Sequence, residues 1–164
     1  MRSSTIAMLD LATASFVKVF NTEHTPEAIR LSPDGDEIWY GANKKGLVKV
    51  IDLQTGKNKA EFSGFSFPYR VLFTPDARLA MVPDYRKDYV RFFDAQNKKE
   101  LGTLVLGDKT GPQGVILHPN GEILFLSLNT SSEVAVIDVN KREIIQRYKS
   151  GANPDGIGYT HLVF

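Results

Sequence analysis

The chain has 164 residues, of which 42% are hydrophobic and 24% are charged, a balance typical of a globular protein with a real core. Its formal net charge of +1 gives no global field that would attract nucleic acid or an anionic membrane surface. The absence of cysteine excludes disulfides, thiolate metal sites and a cysteine nucleophile, and the longest apolar run, Ile123 to Leu128, is too short to span a bilayer.

The first elements are two short strands between Ile6 and Phe20. The residues before them, Met1 to Thr5, contain neither an apolar signal-peptide core nor a recognisable cleavage site. The first strand ends at Asp10, as later strands of the same type end at Asp52 and Asp94. We therefore predict that the chain begins with the last two strands of an incomplete repeat.

A repeat of about 42 residues begins at Pro26. Its landmark prolines recur at spacings of 42, 44 and 42 residues, as Pro26, Pro68, Pro112 and Pro154. Turn sequences at residues 32–35, 74–77 and 118–121 recur at the same spacings. In such turns proline presets φ, Asp or Asn bonds the local backbone and Gly accepts positive φ, so these sequences connect strands.

Each repeat contains four predicted strands, here named A to D. In the first complete repeat they cover Glu27–Ser32, Glu37–Ala42, Leu47–Asp52 and Asn58–Ser63. The B strands are apolar on both faces, as expected of strands between two neighbouring sheets. The D strands mix charged and apolar residues, which suits an outer edge.

Four strands in about 42 residues, repeated, indicate an all-β fold built from β-propeller blades of four antiparallel strands. A flat solenoid is the competing interpretation, and Pro, Gly and β-branched residues disfavour helical repeats. We predict a single domain over residues 1–164, with about three full blades and a split fourth. The repeats are residues 1–25 (strands C and D only), 26–67, 68–111, 112–153, and 154–164 (strand A and a stub).

Three segments, residues 31–35, 134–138 and 151–157, resemble the YVTN family of β-propeller repeats, also called YncE-like or surface-layer-type propellers. The resemblance covers essentially the whole chain and implies the propeller fold and a periplasmic or extracellular compartment. Members of that family usually carry seven blades in a chain about twice as long. The sequence is therefore similar to a half-length or C-terminal portion of such a protein.

Two arrangements follow for the split blade. In the first, the leading C and D strands pair with the trailing strand A and close a four-bladed ring, which removes an exposed sheet edge. In the second, the chain is half of a larger propeller, or pairs with a second copy as a homodimer that completes the ring. An open half would expose apolar blade faces and should associate.

The propeller interpretation places the D–A and B–C loops on one face of the molecule, where propellers commonly bind ligands. The candidate ligand-binding residues in these loops are Asn43, Lys44, Asp84, Tyr85, Arg86, Lys87, Asp108, Lys109 and Asn129. Tyr85 would offer a stacking surface and Arg86 a charge-assisted donor. The alternative is a solvated loop rim with local Asx turns.

No catalytic constellation is recognisable. His24 and His118 fall on opposite faces and His161 lies near the chain end, so we predict no metal site. Asp34, Asp36 and Glu37 lack calcium-loop spacing and are interpreted as turn residues. No Gly-x-Ser-x-Gly motif is present, and we predict no catalytic residue and no cofactor.

The predicted function is a non-enzymatic binding or scaffold module for a protein, a glycan or a small ligand. Nucleic acid is disfavoured as a partner by the balanced charge. The alternative is a remnant or part of a propeller enzyme, because related propellers resemble lactonases and the heavy subunits of quinoprotein amine dehydrogenases.

Overall fold

The structure is a computed structural model that describes residues 4–23 and 25–160. In this part of the chain, fourteen strands form three four-stranded antiparallel sheets and one two-stranded sheet, which confirms the predicted all-β propeller class. The only helical segment among these residues is a single 3₁₀ turn, Asn43–Lys45. No helix here has the length and apolar character that crossing a bilayer requires.

Each four-stranded sheet is one blade, and its strands neighbour one another in chain order. The leading hairpin consists of β1 (Thr5–Asp10) and β2 (Ser15–Asn21). Blade 1 consists of β3 (Pro26–Leu31), β4 (Glu37–Ala42), β5 (Leu47–Asp52) and β6 (Asn58–Phe62). Blade 2 consists of β7 (Leu72–Phe73), β8 (Leu79–Asp84), β9 (Tyr89–Asp94) and β10 (Lys99–Val105). Blade 3 consists of β11 (Pro112–Leu117), β12 (Ile123–Leu128), β13 (Glu133–Asp138) and β14 (Glu143–Lys149).

The predicted B and C strands of blade 1 match the observed β4 and β5 in full, and the A and D strands differ by one residue at their ends. The structure corrects one predicted strand, residues 155–160, which have no strand partner among the described residues. In each complete blade, strand A pairs with strand B of the same blade. The predicted stub, His161–Phe164, lies outside the described residues. The segment instead follows blade 3, where the Ser127 hydroxyl donates to the Asp155 carbonyl at 2.7 Å.

The A–B turns are held by a repeated side-chain contact. In blade 1 the Ser32 hydroxyl donates to the Asp34 carboxylate at 2.5 Å, and Thr74 and Asp76 make the equivalent bond in blade 2 at 2.6 Å. The Thr74 hydroxyl, the Arg78 backbone N–H and the Arg78 guanidinium hold the pKa of Asp76 at about 2. The bond from Ser32 shows that Asp34 acts in the turn of blade 1, as the sequence predicted.

Three apolar clusters hold the sheets together, one at each junction between neighbouring sheets. At the junction of blades 1 and 2, the Trp39 ring lies 5.4 Å from the Phe73 ring and 6.3 Å from the Phe93 ring. Every residue of β4 is buried, because this strand has neighbours on both faces. The apolar B strands of the sequence therefore follow from their position between two sheets.

A buried ionic cluster joins blades 1 and 2 beside the A–B turns. The Glu37 carboxylate accepts from Lys59 Nζ at 2.7 Å and from Lys98 Nζ of blade 2 at 2.8 Å. The Trp39 indole N–H donates to the same carboxylate at 3.1 Å. Burial acts to raise the pKa of Glu37, but these donors outweigh it and hold the pKa below its ordinary value of 4.5.

Glu37→Gln should lower the free energy of unfolding at pH 7 by about 1–3 kcal/mol, because it removes the buried charge that the ammonium groups of Lys59 and Lys98 share. A carboxylate with a lowered pKa stabilises the fold above its unfolded pKa, and this contribution is lost as pH falls through the folded value. Wild type should therefore lose more stability than the variant below about pH 4.5. Urea unfolding at several pH values measures both effects. Glu143→Gln, at an exposed pair with Lys141, is the control and should stay within about 0.5 kcal/mol of wild type.

Candidate functional site

The D–A and B–C loops are joined by backbone hydrogen bonds and lie together on one face, which we call the loop face. The Tyr85 N–H donates to the Phe67 carbonyl at 3.0 Å, and the Leu106 N–H donates to the Asp88 carbonyl at 2.8 Å. In blade 3 the Asn129 N–H donates to the Gly111 carbonyl at 2.9 Å. The loop face is therefore an ordered surface in which B–C loops are tied to the neighbouring D–A loops.

Asp84 is fully buried and fixes the loops at blade 2. Its carboxylate accepts the backbone N–H groups of Ser66 at 2.6 Å and of Phe67 at 3.0 Å. It also accepts the N–H groups of Arg86 and Lys87 at 3.1 and 3.2 Å. The Asp84 carboxylate thus accepts hydrogen bonds from the backbone of two loops, and both of its oxygens have partners within the protein.

Asp88 lies at the other end of the same B–C loop and fixes the D–A loop that leads into blade 3. Its carboxylate accepts from the backbone N–H groups of Lys109, Thr110 and Gly111 at 2.8–2.9 Å. The Thr110 hydroxyl donates to it as well, at 2.9 Å. Burial acts to raise the pKa of Asp88, but the Gly111 N–H, the Thr110 hydroxyl and the other donors hold it below its ordinary value.

Three aromatic rings meet on the loop face beside these anchors. The Phe67 ring lies 6.0 Å from that of Tyr69 and 6.2 Å from that of Tyr85, and the two tyrosine rings are 6.2 Å apart. Gly111 permits this packing, because an added Cβ would lie 3.0 Å from the Tyr85 ring and 2.4 Å from the Thr130 hydroxyl. All three rings are partly exposed.

Two guanidinium groups flank the rings. Arg70 lies 4.2 Å from the centre of the Tyr69 ring and donates to the Tyr69 carbonyl at 2.9 Å. Arg86 lies 5.0 Å from the centre of the Phe67 ring and its side chain is exposed. We call Phe67, Tyr69, Arg70, Tyr85 and Arg86 the aromatic–arginine cluster.

The other residues predicted from the sequence differ in exposure and in their hydrogen-bond partners. The Lys87 ammonium donates to the Gly64 carbonyl at 2.6 Å, and Lys44, Asp108 and Lys109 are exposed loop residues. Asn43 and Asn129 occupy the positions in blades 1 and 3 that Tyr85 occupies in blade 2. The Asn43 amide donates to the Glu27 carboxylate at 2.6 Å, whereas the Asn129 amide donates to the Pro154 carbonyl at 3.2 Å.

Sequence reasoning missed three members of the cluster, Phe67, Tyr69 and Arg70. Their signal lies in the repeat register, because Phe67 and Tyr69 flank the landmark Pro68. The residues that flank Pro112 are Gly111 and Gln113, which are not aromatic. A comparison of the repeats position by position would have identified blade 2 as the aromatic one.

The opposite face carries a groove of about 540 Å³ between the turns of blades 2 and 3. Its polar groups serve the turns: Asp76 pairs with Arg78 at 2.6 Å, and Asp94 accepts the Gln96 N–H at 2.9 Å. On the same side the His118 ring packs edge-on against Tyr159 at 5.3 Å. His24 and His161 lie outside the described residues, and within those residues no three His, Cys, Asp or Glu side chains are grouped to hold a metal ion.

Comparisons with known proteins identify the fold of the chain. The family model described as "Lactonase, 7-bladed beta-propeller" matches residues 42–156. Among solved structures, the "Kuenenia stuttgartiensis Hydrazine Synthase" is similar, with a TM-score of 0.81 and 20% sequence identity over 88% of this chain. That match covers 42% of the hydrazine synthase chain, so the present chain spans less than half of it, and at this identity the likeness shows the fold. A search among curated proteins found no match.

Asp84→Ala should lower the free energy of unfolding by about 1–3 kcal/mol, because the substitution leaves four partly buried backbone N–H groups without their acceptor. Urea unfolding followed by circular dichroism measures the loss. Asp108→Ala, at an exposed residue of a loop on the same face, is the control and should be neutral. Equal stability of the two variants would contradict the anchoring role of Asp84.

Proposed function

We propose that this chain, which belongs to the lactonase family of seven-bladed β-propellers, is a non-enzymatic binding module of the YVTN repeat type. The ligand is a small organic anion that carries a flat apolar group. The binding site is the aromatic–arginine cluster of the loop face. The observation that carries the proposal is the juxtaposition of three partly exposed rings with two guanidinium groups.

The chemistry of the cluster favours a planar carboxylate. Aromatic rings bind flat apolar surfaces through stacked or edge-to-face contacts. A guanidinium matches the two oxygens of a carboxylate with parallel N–H donors. Arg86 is exposed, and no ion pair occupies its guanidinium among the described residues, so a bound carboxylate could pair with it.

The surrounding charge supports an anionic ligand. Lys44, Lys87 and Lys109 add cations to this face. The carboxylate oxygens of Asp84 and Asp88 accept backbone N–H groups of the loops, so they already have partners within the protein. The remaining exposed acid among the predicted site residues is Asp108.

A binding role is also supported by how the acids of the loop face are used. General acid–base catalysis requires a titratable side chain, most often an imidazole or a carboxylate, within hydrogen-bond reach of the substrate. Asp84 and Asp88 accept at least three backbone N–H groups each, which commits both of them to loop structure. The cluster itself consists of rings and guanidinium groups, which can bind and orient a ligand.

The second candidate is a propeller enzyme or part of one, resembling a lactonase or the heavy subunit of a quinoprotein amine dehydrogenase. It is favoured by the description of the matching family and by the name of the similar structure, a synthase. Hydrolysis of dihydrocoumarin, followed by ultraviolet absorbance, tests the lactonase reaction. Turnover that rises in proportion to the concentration of purified chain would replace the non-enzymatic proposal.

Titration calorimetry with benzoate tests the proposed binding site. Benzoate should bind, whereas benzyl alcohol, which has the same ring without the charge, should bind at least about tenfold more weakly. Arg86→Ala should weaken benzoate binding about 10–100-fold, the effect of losing a charged hydrogen-bond partner. Tyr85→Ala should weaken it about tenfold through loss of the ring contact.

Arg78→Ala is the matched control, because Arg78 is an exposed arginine of the opposite face. It should bind benzoate as wild type does. Equal affinity of wild type and Arg86→Ala for benzoate would contradict the site, and equal affinity for benzoate and benzyl alcohol would contradict the anionic ligand.

A further inference from the structure

Two equivalent grooves lie between neighbouring blades on the face opposite the loop face. The groove between blades 1 and 2 has a volume of about 220 Å³, and the groove between blades 2 and 3 has a volume of about 540 Å³. Residues between 74 and 140 form both walls of the wider groove, so it is complete within the described chain. Blades of a propeller neighbour one another around a ring, so a further blade would lie beside this series of sheets and not over the groove.

A lysine of the chain itself occupies the groove between blades 1 and 2. Lys98, in the C–D turn of blade 2, donates through its ammonium to the Glu37 carboxylate at 2.8 Å and to the Ala95 carbonyl. The ammonium also lies 5.7 Å from the centre of the Trp39 ring. A groove of this kind therefore accepts a lysine side chain whose ammonium pairs with a carboxylate.

The groove between blades 2 and 3 lacks this occupant. Leu79 stands where Glu37 stands in blade 1, since each is the first residue of strand B and pairs with the aspartate that ends strand C. Arg142 is the equivalent of Lys98, and both have a left-handed backbone, with φ of 57° and 56°. Because position 79 carries no carboxylate, the Arg142 guanidinium bonds strand D of blade 2 instead, at the Leu101 carbonyl, 3.0 Å away. Arg142 is therefore not part of the groove lining, and the groove is wider.

The lining of the wider groove has an excess of negative charge. Its charged residues are Asp76, Arg78, Asp94 and Glu122. Arg78 pairs with Asp76 at 2.6 Å, whereas Asp94 and Glu122 make no ion pair among the described residues. The Asn97 backbone N–H and further amide donors hold the pKa of Asp94 below its ordinary value, so this carboxylate is ionised at neutral pH. Two carboxylates of the groove thus lack a cationic partner.

The uncharged part of the lining suits a basic side chain carried on a peptide. Pro75 and Pro119 come from the A–B turns of blades 2 and 3, and Leu79 is half-buried between these blades. A lysine lays its methylene stem along apolar surface of this kind and keeps its ammonium at a polar end. Asn140 is exposed in the same lining, and its amide offers both the donor and the acceptor that a peptide backbone requires.

We propose that the groove between blades 2 and 3 binds a basic segment of a partner protein. One lysine of that segment enters the groove as Lys98 enters the equivalent one, and its ammonium pairs with the carboxylates of Asp94 and Glu122. The charge of the lining selects a cation, and the chain's own cation at this position, Arg142, is bonded elsewhere. The groove lies on the face opposite the aromatic–arginine cluster, so the two sites bind independently.

Amide shift mapping by NMR with tetralysine, blocked at both ends, tests the proposal on the purified chain. Saturable shifts should appear at residues 74–79, 94, 119–122 and 139–140. Tetralysine acetylated on every side chain keeps the stems without the charge and should bind at least about tenfold more weakly. Glu122→Lys should weaken tetralysine binding about tenfold or more, because it replaces an attraction by a repulsion in the groove.

Asp36→Lys is the matched control, because Asp36 is the exposed equivalent of Glu122 in blade 1 and the substitution changes the net charge by the same amount. It should bind tetralysine within about twofold of wild type, since charges outside the groove are screened by salt. Arg78→Ala should bind tetralysine about threefold more tightly, because the Asp76 carboxylate loses its cationic partner. The amide spectrum of each variant also shows that it is folded.

Three results would each overturn the proposal: no saturable shifts at the groove residues, equal affinity for the two peptides, or equal weakening by Glu122→Lys and Asp36→Lys. Spermidine, a free polyamine, should bind more weakly than tetralysine, because it has no backbone to bond Asn140. The reverse order would contradict a partner protein and assign the groove to a small cation.

Discussion

The packing of Trp39, Phe62 and Phe93 between blades 1 and 2 shows the constraint that governs the molecule: a sheet of this fold must bury an apolar face on each side. Four-stranded sheets have no room for a separate core, so stability comes from the junctions between them. The ionic cluster at Glu37 lies at the rim of the same junction, where two lysines and an indole N–H satisfy one buried carboxylate. Leu9 and Tyr148 stand at the two ends of this series of sheets and are 49% and 59% exposed in the described chain.

Much of the fold could be predicted because its landmarks are local. Proline, Asx and glycine turns recur at fixed spacing, and each marks the end of a strand whose own sequence is apolar or mixed. The strand predicted for residues 155–160 was wrong for a reason that is not local. A strand exists only with a partner in its ladder, and the described residues offer that segment no strand B.

The candidate site was predictable only in part, for the same reason. Tyr85 and Arg86 are neighbours in sequence and stand in a B–C loop, so they could be singled out before the structure. Phe67 and Tyr69 reach them from a D–A loop, and only the pairing of the two loops brings the rings together. The sequence also could not distinguish Asp84, whose carboxylate is buried among backbone donors, from Asp108, which is exposed. The sequence of a polar loop does not show whether a carboxylate side chain points into the protein or into solvent.

The aromatic–arginine cluster lies on the loop face, where a D–A loop meets the B–C loop of blade 2. The cluster stands on loops that Asp84 and Asp88 fix, and this rigidity favours binding because little ordering is required of the protein. Backbone amide shift mapping by NMR during a benzoate titration tests the location of the site most directly. If benzoate binds at the aromatic–arginine cluster, we expect the amide shifts to be confined to residues 64–70 and 84–88 and the adjoining loop at 108–111. Shifts concentrated at the groove between the turns of blades 2 and 3, around Asp76 and Asn120, would contradict it.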